Sequence, residues 1–311
     1  MKRGFLLTSP KPKPKPKPQH KQVLHPFSKK VTSLAPVIQL PGVVGCHYND
    51  RQKLVFDVIK NEAVCTITSS CMREFYIYKA VMLPGDGIVM VIHGLDRKLA
   101  FCKVSDENKK WISIEGDGEG KFNDVTIFKR EFYAVKDNGN VYVVRGFDSS
   151  STLFVKLAIH EPDKLGYYKK YLVEVKGELF LLNRVRYPLE PGDEEADLTL
   201  VYVIKKIELN GPKWVSVDNF DNDCAMFVGC NDSFTRLTSD VPDCKGNSIY
   251  FTDDFVDGVA DMDNNLENFV KEPIGCQDIG VWDMTSDVFD RLIYPSASKS
   301  MNPPPVWFTA N

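Results

Sequence analysis

From Leu40 onward the chain repeats one small unit: a turn, a short run of β-branched and aromatic residues, and a polar break. The stretch from Trp214 to Asp254 shows it best. There Lys245, Gly246 and Asn247 punctuate the chain, and Ser248-Ile249-Tyr250-Phe251-Thr252 follows, a composition that favours a pleated, half-buried strand over a helix. Similar runs stand at Lys53–Ile59, Phe75–Tyr78, Gly87–Ile92, Leu99–Val104, Trp111–Ile114, Asp124–Phe128, Glu131–Val135 and Asn140–Val144. Others follow at Tyr171–Val175, Glu178–Leu182, Leu198–Ile204 and Ile279–Met284. No window of ten or more residues carries a convincing helical period; Ala260–Lys271 comes nearest. Such a chain is all-β.

The connections predict antiparallel hairpins. Asn138-Gly139 is the strongest hairpin signal, because both central positions of a type I′ turn need positive φ, and Lys176-Gly177 reads the same way. So many hairpins leave many sheet edges, and radial repetition protects them by packing each sheet face against its neighbours. Trp111 and Trp214 each open a strand run about a hundred residues apart, which fits two units of about 45 residues. At that size the 311 residues make six or seven four-stranded blades of a kelch-like β-propeller, with a double sandwich as the alternative.

Charge is unevenly spread. Residues 1–180 hold 29 Lys and Arg against 19 Asp and Glu, and the remainder holds 10 against 23, so the formal charge of -3 hides a basic first part and an acidic second part. After Asp50 the basic residues are interleaved with acids, which argues against a nucleic-acid reader. Eight cysteines without a secretory apolar segment read as free thiols in a reducing compartment. The longest apolar runs are far short of the roughly 18 residues of a membrane span.

Reactive constellations are not apparent. His160-Glu161 is followed by Pro162, which a zincin helix does not tolerate, and Cys65/Cys71 and Cys224/Cys230 are too widely spaced for a zinc knuckle. Gly116, Gly118 and Gly120 lie among acids and precede a strand, so they read as a β-turn rather than a phosphate loop. Asp261, Asp263, Asn265 and Glu272 match calcium-loop positions, but Leu266 stands where the loop needs glycine, leaving a solvated acidic loop. No catalytic residue, metal or cofactor is expected.

The N-terminus carries nine positive and no acidic side chains before Asp50. Pro10 and the four Lys-Pro dipeptides through Pro18 exclude an α-helix and favour an extended polyproline II segment. That is a basic, exposed loop or spacer, and it opposes the amphipathic presequence that the lack of acids suggests.

Several stretches together resemble one family. Trp214-Val215, Ala225-Met226-Phe227-Val228-Gly229, Ser233-Phe234, Cys244 through Gly246, Asn247, Tyr250 and Phe251 to Asp254, then Gly280-Val281-Trp282-Asp283 and the closing Pro304 to Trp307-Phe308 are similar to the signature of the plant KIB-type β-propellers, an F-box-associated domain of unknown function. Arg3–Leu7 resembles an early strand of its first blade, and His25-Pro26-Phe27-Ser28 its Asn-Pro-Phe element. The resemblance implies one propeller over residues 1–311, with truncation of the first blade left open and residues 10–18 as a loop between strands. It implies a non-catalytic protein-interaction module like the substrate receptors of SCF-type ubiquitin ligases. The helical F-box that many members carry ahead of the propeller finds no match, so the SCF adaptor is an expected partner only if an F-box is restored. A monomer in the cytoplasm or nucleus is expected, with an F-box-less mitochondrial or plastid member as the alternative and an enzyme using the channel as a remote third. Binding is expected in charged loops: Lys11, Lys13, Lys15 and Lys17; Glu194 and Glu195; Asp261 and Asp263.

Overall fold

A computed structural model of the chain describes residues 20–24, 31–74, 76–114, 119–147, 154–160, 169–186, 199–229, 232–252 and 278–291. Strands β1 (His20–Leu24) and β2 (Val31–Pro36) pair first, and a single 3-10 turn leads into a sheet of β3 (Val43–Tyr48), β4 (Leu54–Lys60) and β5 (Ala63–Thr68). A six-residue helix, α1 (Ser69–Glu74), crosses to β6 (Ile77–Leu83), β7 (Ile88–His93), β8 (Lys98–Lys103) and β9 (Ile112–Ile114). The next sheet is β10 (Phe122–Phe128), β11 (Glu131–Lys136), β12 (Val141–Arg145) and β13 (Phe154–Ile159). After it come β14 (Lys169–Val175), β15 (Glu178–Arg186), β16 (Thr199–Glu208) and β17 (Lys213–Ser216). The last sheet holds β18 (Cys224–Val228), β19 (Phe234–Leu237), β20 (Ser248–Phe251), β21 (Gly280–Asp283) and β22 (Val288–Arg291). Six sheets are thus described, three of them four-stranded with each strand pairing the next in sequence.

The residues show why the sheets stack face to face. All six residues of β7 are buried, so neither of its faces meets water. Val89 and Val91 enter a core shared with the β3–β5 sheet, while Ile88, Met90 and Ile92 enter a core shared with the β10–β13 sheet. The period of two divides β11 likewise: Phe132 and Ala134 face back, Tyr133 and Val135 face forward. In β15 Leu179 and Leu181 join that forward core, and Phe180 and Leu182 join the core against the last sheet. A strand buried on both sides reads as a continuous apolar run, and each fully buried aliphatic contributes about 1.5–3 kcal/mol. Trp111 and Trp214 stand at the outermost strands of their sheets, β9 and β17, two sheets apart as their spacing predicts. Each indole N–H donates to a carbonyl of an earlier segment, Ala35 at 3.1 Å and His160 at 2.8 Å.

Two expectations change. Lys176 and Gly177 both adopt positive φ, +47° and +81°, and join β14 to β15 in the expected two-residue turn. At Asn138-Gly139 only the glycine does, at +84°. Its N–H donates to the Lys136 carbonyl at 2.9 Å, and Lys136 N–H donates to Asn140 at 3.0 Å, so the loop has three residues and the glycine absorbs the reversal. The last sheet also departs from plain hairpins. β19 folds back on one edge of β18, and β20 then runs parallel to β18 on the other, giving the order β19-β18-β20-β21-β22. Residues between β19 and β20 supply the crossing that a parallel pair requires. Two boundaries also shift: the Phe75–Tyr78 run is replaced by β6 beginning at Ile77, and the Leu198–Ile204 run extends to Glu208.

Candidate functional site

The first strands of three successive sheets, β6, β10 and β14, lie side by side, and β19 continues the row beside β14. Polar contacts tie this inner row together. Lys79 on β6 forms a buried ion pair with Asp124 on β10. The other Asp124 oxygen accepts from Leu172 N–H on β14 at 2.8 Å, while the first also accepts from Val125 N–H at 2.8 Å. Burial pushes the Asp124 carboxyl upward, and the Lys79 ammonium and the two N–H donors oppose that. Thr235 Oγ1 on β19 donates to the Glu174 carbonyl on β14 at 3.0 Å. These groups spend their hydrogen bonds on neighbouring sheets, which is structural work.

A second buried cluster joins the β14–β17 sheet to the last one. Arg184, fully buried on β15, donates to Tyr171 Oη and the Thr252 carbonyl at 3.1 Å each, and to Asp278 Oδ2 at 2.8 Å. Its guanidinium also lies over the Phe251 ring at 5.3 Å. Lys169 and Arg97 both approach the ring of Tyr78, at 3.9 and 4.7 Å. Cations buried in this way need carboxylate, carbonyl and aromatic partners to offset lost hydration.

At the far ends of the inner strands a cavity of about 480 Å³ opens. β6 contributes Val81 and Met82, and β10 contributes Thr126 and Ile127. Glu174 and Lys176 border it from β14 and its turn, and Asp232, Ser233, Phe234 and Thr235 from the approach to β19. Met82 is 42% exposed, an apolar side chain left in water at the mouth. Ser233 is only 5% exposed, yet its hydroxyl has no hydrogen-bond partner among the described residues. Lys176 is engaged by Asp221 at 2.5 Å, which holds that carboxyl below the usual range. Among the described residues, Glu174 and Asp232 have no cation paired with their carboxylates, so the lining carries net negative charge. Phe234 stacks on Phe227, centroids 5.2 Å apart, with Arg236 over its ring at 5.4 Å. Among the described residues no three His, Cys, Asp or Glu side chains group as metal ligands.

Apart from Ser233 and Phe234, the described signature residues lie elsewhere, inside the packing of the last sheets. Trp214 is half-buried against the core between the β10–β13 and β14–β17 sheets. Phe227 and Tyr250 stack on β18 and β20, centroids 4.9 Å apart, and Gly229 directly follows β18. Phe251 and Trp282 enter the core on the opposite face of that sheet. Asn247, at φ +48° and 2% exposed, accepts from Phe220 N–H through Oδ1 at 3.1 Å and donates through Nδ2 to Thr285 at 3.3 Å. A Cβ on Gly246 would sit 1.7 Å from the Asn222 carbonyl oxygen, so only glycine fits the close approach. Trp307, the lysines 11, 13, 15 and 17, Glu194, Glu195, Asp261 and Asp263 lie outside the described residues, as do the Lys-Pro segment and the calcium-like run. Sequence reasoning missed the inner-row ion pairs and the cavity. The available signal was a charge inside an apolar strand, as at Lys79, Asp124 and Arg184, since such charges are rarely buried without partners.

Stacked sheets with a row of first strands on the inside define a β-propeller. The chain belongs to the KIB1-4 beta-propeller family, whose model matches residues 1–283. It is similar to several Arabidopsis thaliana proteins. The F-box protein SKIP23 is 28% identical over 265 residues, covering 77% of this chain and 59% of that protein. The putative F-box protein At5g55150 is 26% identical over 233 residues, 73% of this chain and 59% of that protein. The F-box protein At2g26160 is 26% identical over 178 residues, 57% and 53%. The chain therefore spans under two thirds of the length of these curated relatives.

Proposed function

We propose that this chain is a non-catalytic protein-interaction module, the recognition propeller of an F-box-type protein, which selects substrates for an SCF-type ubiquitin ligase. The match of the propeller family over residues 1–283 carries the reading, and the F-box relatives support its class. The buried polar groups of the inner row and of the Arg184 cluster favour recognition over chemistry. Lys79, Asp124, Arg184 and Asp278 are consumed in joining sheets, and a rigid stack of this kind serves to present loops and a cavity. Residence in the cytoplasm or nucleus, a monomeric state and coupling to the SCF adaptor through an F-box belong to the same proposal. So does the absence of nucleic-acid, membrane and cofactor partners.

The test is affinity capture from plant cells followed by reconstitution. A captured protein should bind the purified chain directly, and fusing an F-box to the chain should make that protein's turnover depend on the proteasome. Failure to find any direct binder, or turnover of a substrate by the chain alone, sinks the reading. A second reading, an organellar family member, rests on the acid-free first 49 residues. A fluorescent fusion confined to mitochondria or plastids favours it; a cytosolic and nuclear signal with an intact N-terminus removes it.

A further inference from the structure

We infer that the cavity at the ends of β6, β10, β14 and β19 binds an extended peptide segment that presents one arginine or lysine beside an apolar residue. This rests on the interaction-module reading and names its recognition chemistry. Three independent features of the cavity point the same way. First, its charge is unbalanced: Lys176 is committed to Asp221, which leaves Glu174 and Asp232 facing the opening without a paired cation among the described residues. A guanidinium or ammonium entering between them gains charge-assisted hydrogen bonds, which are about twice as strong as neutral ones.

Second, apolar residues border the same space as those carboxylates: Val81, Met82, Ile127 and Phe234, of which Met82 is 42% exposed. A free metal ion or a small hydrophilic cation would leave that surface wet, whereas the stem of an arginine and a neighbouring apolar side chain would cover it. Third, Ser233 on the cavity wall is 5% exposed, and among the described residues its hydroxyl is unpartnered. A buried polar group without a partner costs stability, and an incoming donor or peptide carbonyl satisfies it. The volume of about 480 Å³ lies within the range of ligand pockets and admits a side chain or two rather than a folded domain.

The probe is a fluorescein-labelled peptide, Gly-Leu-Arg-Leu-Gly, followed by fluorescence anisotropy against the purified chain, with Gly-Leu-Glu-Leu-Gly and free arginine as controls. The arginine peptide should bind at least about tenfold more tightly than either control and weaken as salt is raised. The double variant Glu174→Gln/Asp232→Asn alters two exposed side chains outside every core described above, so it should fold as the parent does and weaken binding about tenfold. Met82→Ser, which removes the exposed apolar contact without adding charge, should weaken it separately. Equal binding of the two peptides, free arginine binding as tightly as the peptide, or indifference to both variants overturns the inference. If the chain captures a protein partner that the double variant binds unchanged, the cavity assignment fails and the interaction-module reading stands. If the peptide binds as expected and no protein partner is found, the reverse holds.

Discussion

In the β10–β13 sheet each strand pairs with the next along the chain; in the last sheet β19 lies outside β18 and β20 runs parallel to β18. The two sheets also differ in how they are held. β10–β13 is cemented by alternating aliphatic and aromatic residues on both faces, side chains that other apolar residues of similar volume replace at small cost. The last sheet depends on groups with one acceptable geometry: Gly246 against the Asn222 carbonyl, Asn247 in a left-handed conformation bridging Phe220 and Thr285, and Asp278 receiving Arg184. An out-of-order sheet has no simple hairpin to fix its register, so particular side chains do so.

The comparison is broken most directly at Gly246. Gly246→Ala should cost about 4 kcal/mol or more in urea unfolding, because backbone must move to admit the methyl group. Gly85→Ala, in the β6–β7 hairpin at φ +88° with no atom within 4 Å of the new Cβ, should cost only about 1–2 kcal/mol. Similar losses at the two glycines would remove the distinction between the sheets.

Arg184→Met comes next. It leaves Asp278 buried with the Arg291 guanidinium, 3.8 Å away, still paired to it, a loss of about 3 kcal/mol, and adding Asp278→Asn should restore part of it. Ile92→Val in the middle sheets should cost about 0.5–1.5 kcal/mol. A double variant no more stable than Arg184→Met would show that the pair is not what joins these sheets.

His93 sharpens the same contrast from within the regular sheets. It is 1% exposed, neither ring nitrogen has a partner among the described residues, and burial together with Lys98 lowers its pKa to about 4. The unfolded chain, with a value near 6.5, binds a proton first as pH falls. The stability of the neutral form is therefore complete above pH 6.5 and lost progressively toward pH 4, by about 2–3 kcal/mol. His93→Phe should flatten that part of the pH profile and raise the melting temperature at pH 5. An unchanged acid profile would assign the sensitivity to other groups.

The smallest effect concerns turns. Asn61 and Glu62 join β4 to β5 at φ +48° and +66°, a two-residue turn built without glycine. Glu62→Gly should stabilise by about 0.5–1 kcal/mol, since relief of the left-handed strain outweighs the added chain entropy. A destabilised variant would mean that the Glu62 side chain contributes an unrecognised contact.

Much of the fold was legible. Ile88–Ile92 and Glu131–Val135 announced strands by composition, and Lys176-Gly177 announced its turn. The turns at Asn61-Glu62 and Lys129-Arg130 were not legible, because Asn61 is not followed by glycine and Glu62, Lys129 and Arg130 carry no marker of positive φ, adopting it only under the register of the strands they join. Of the cavity, Phe234 and Ser233 were visible only as parts of the family signature. Their meeting with Val81, Ile127 and Glu174 spans more than 150 residues of chain and has no local trace.

By itself the sequence determined an all-β chain of repeated short strands, because β-branched and aromatic runs between turn residues act locally, and it determined the family through residues whose geometry admits few substitutes. The tertiary structure decided the parallel pairing of β18 and β20, the burial of Lys79, Asp124 and Arg184 in inter-sheet contacts, and the convergence of four inner strands on one cavity. Those features depend on which distant segments meet, and the free energy that fixes them is gained only once the sheets have stacked.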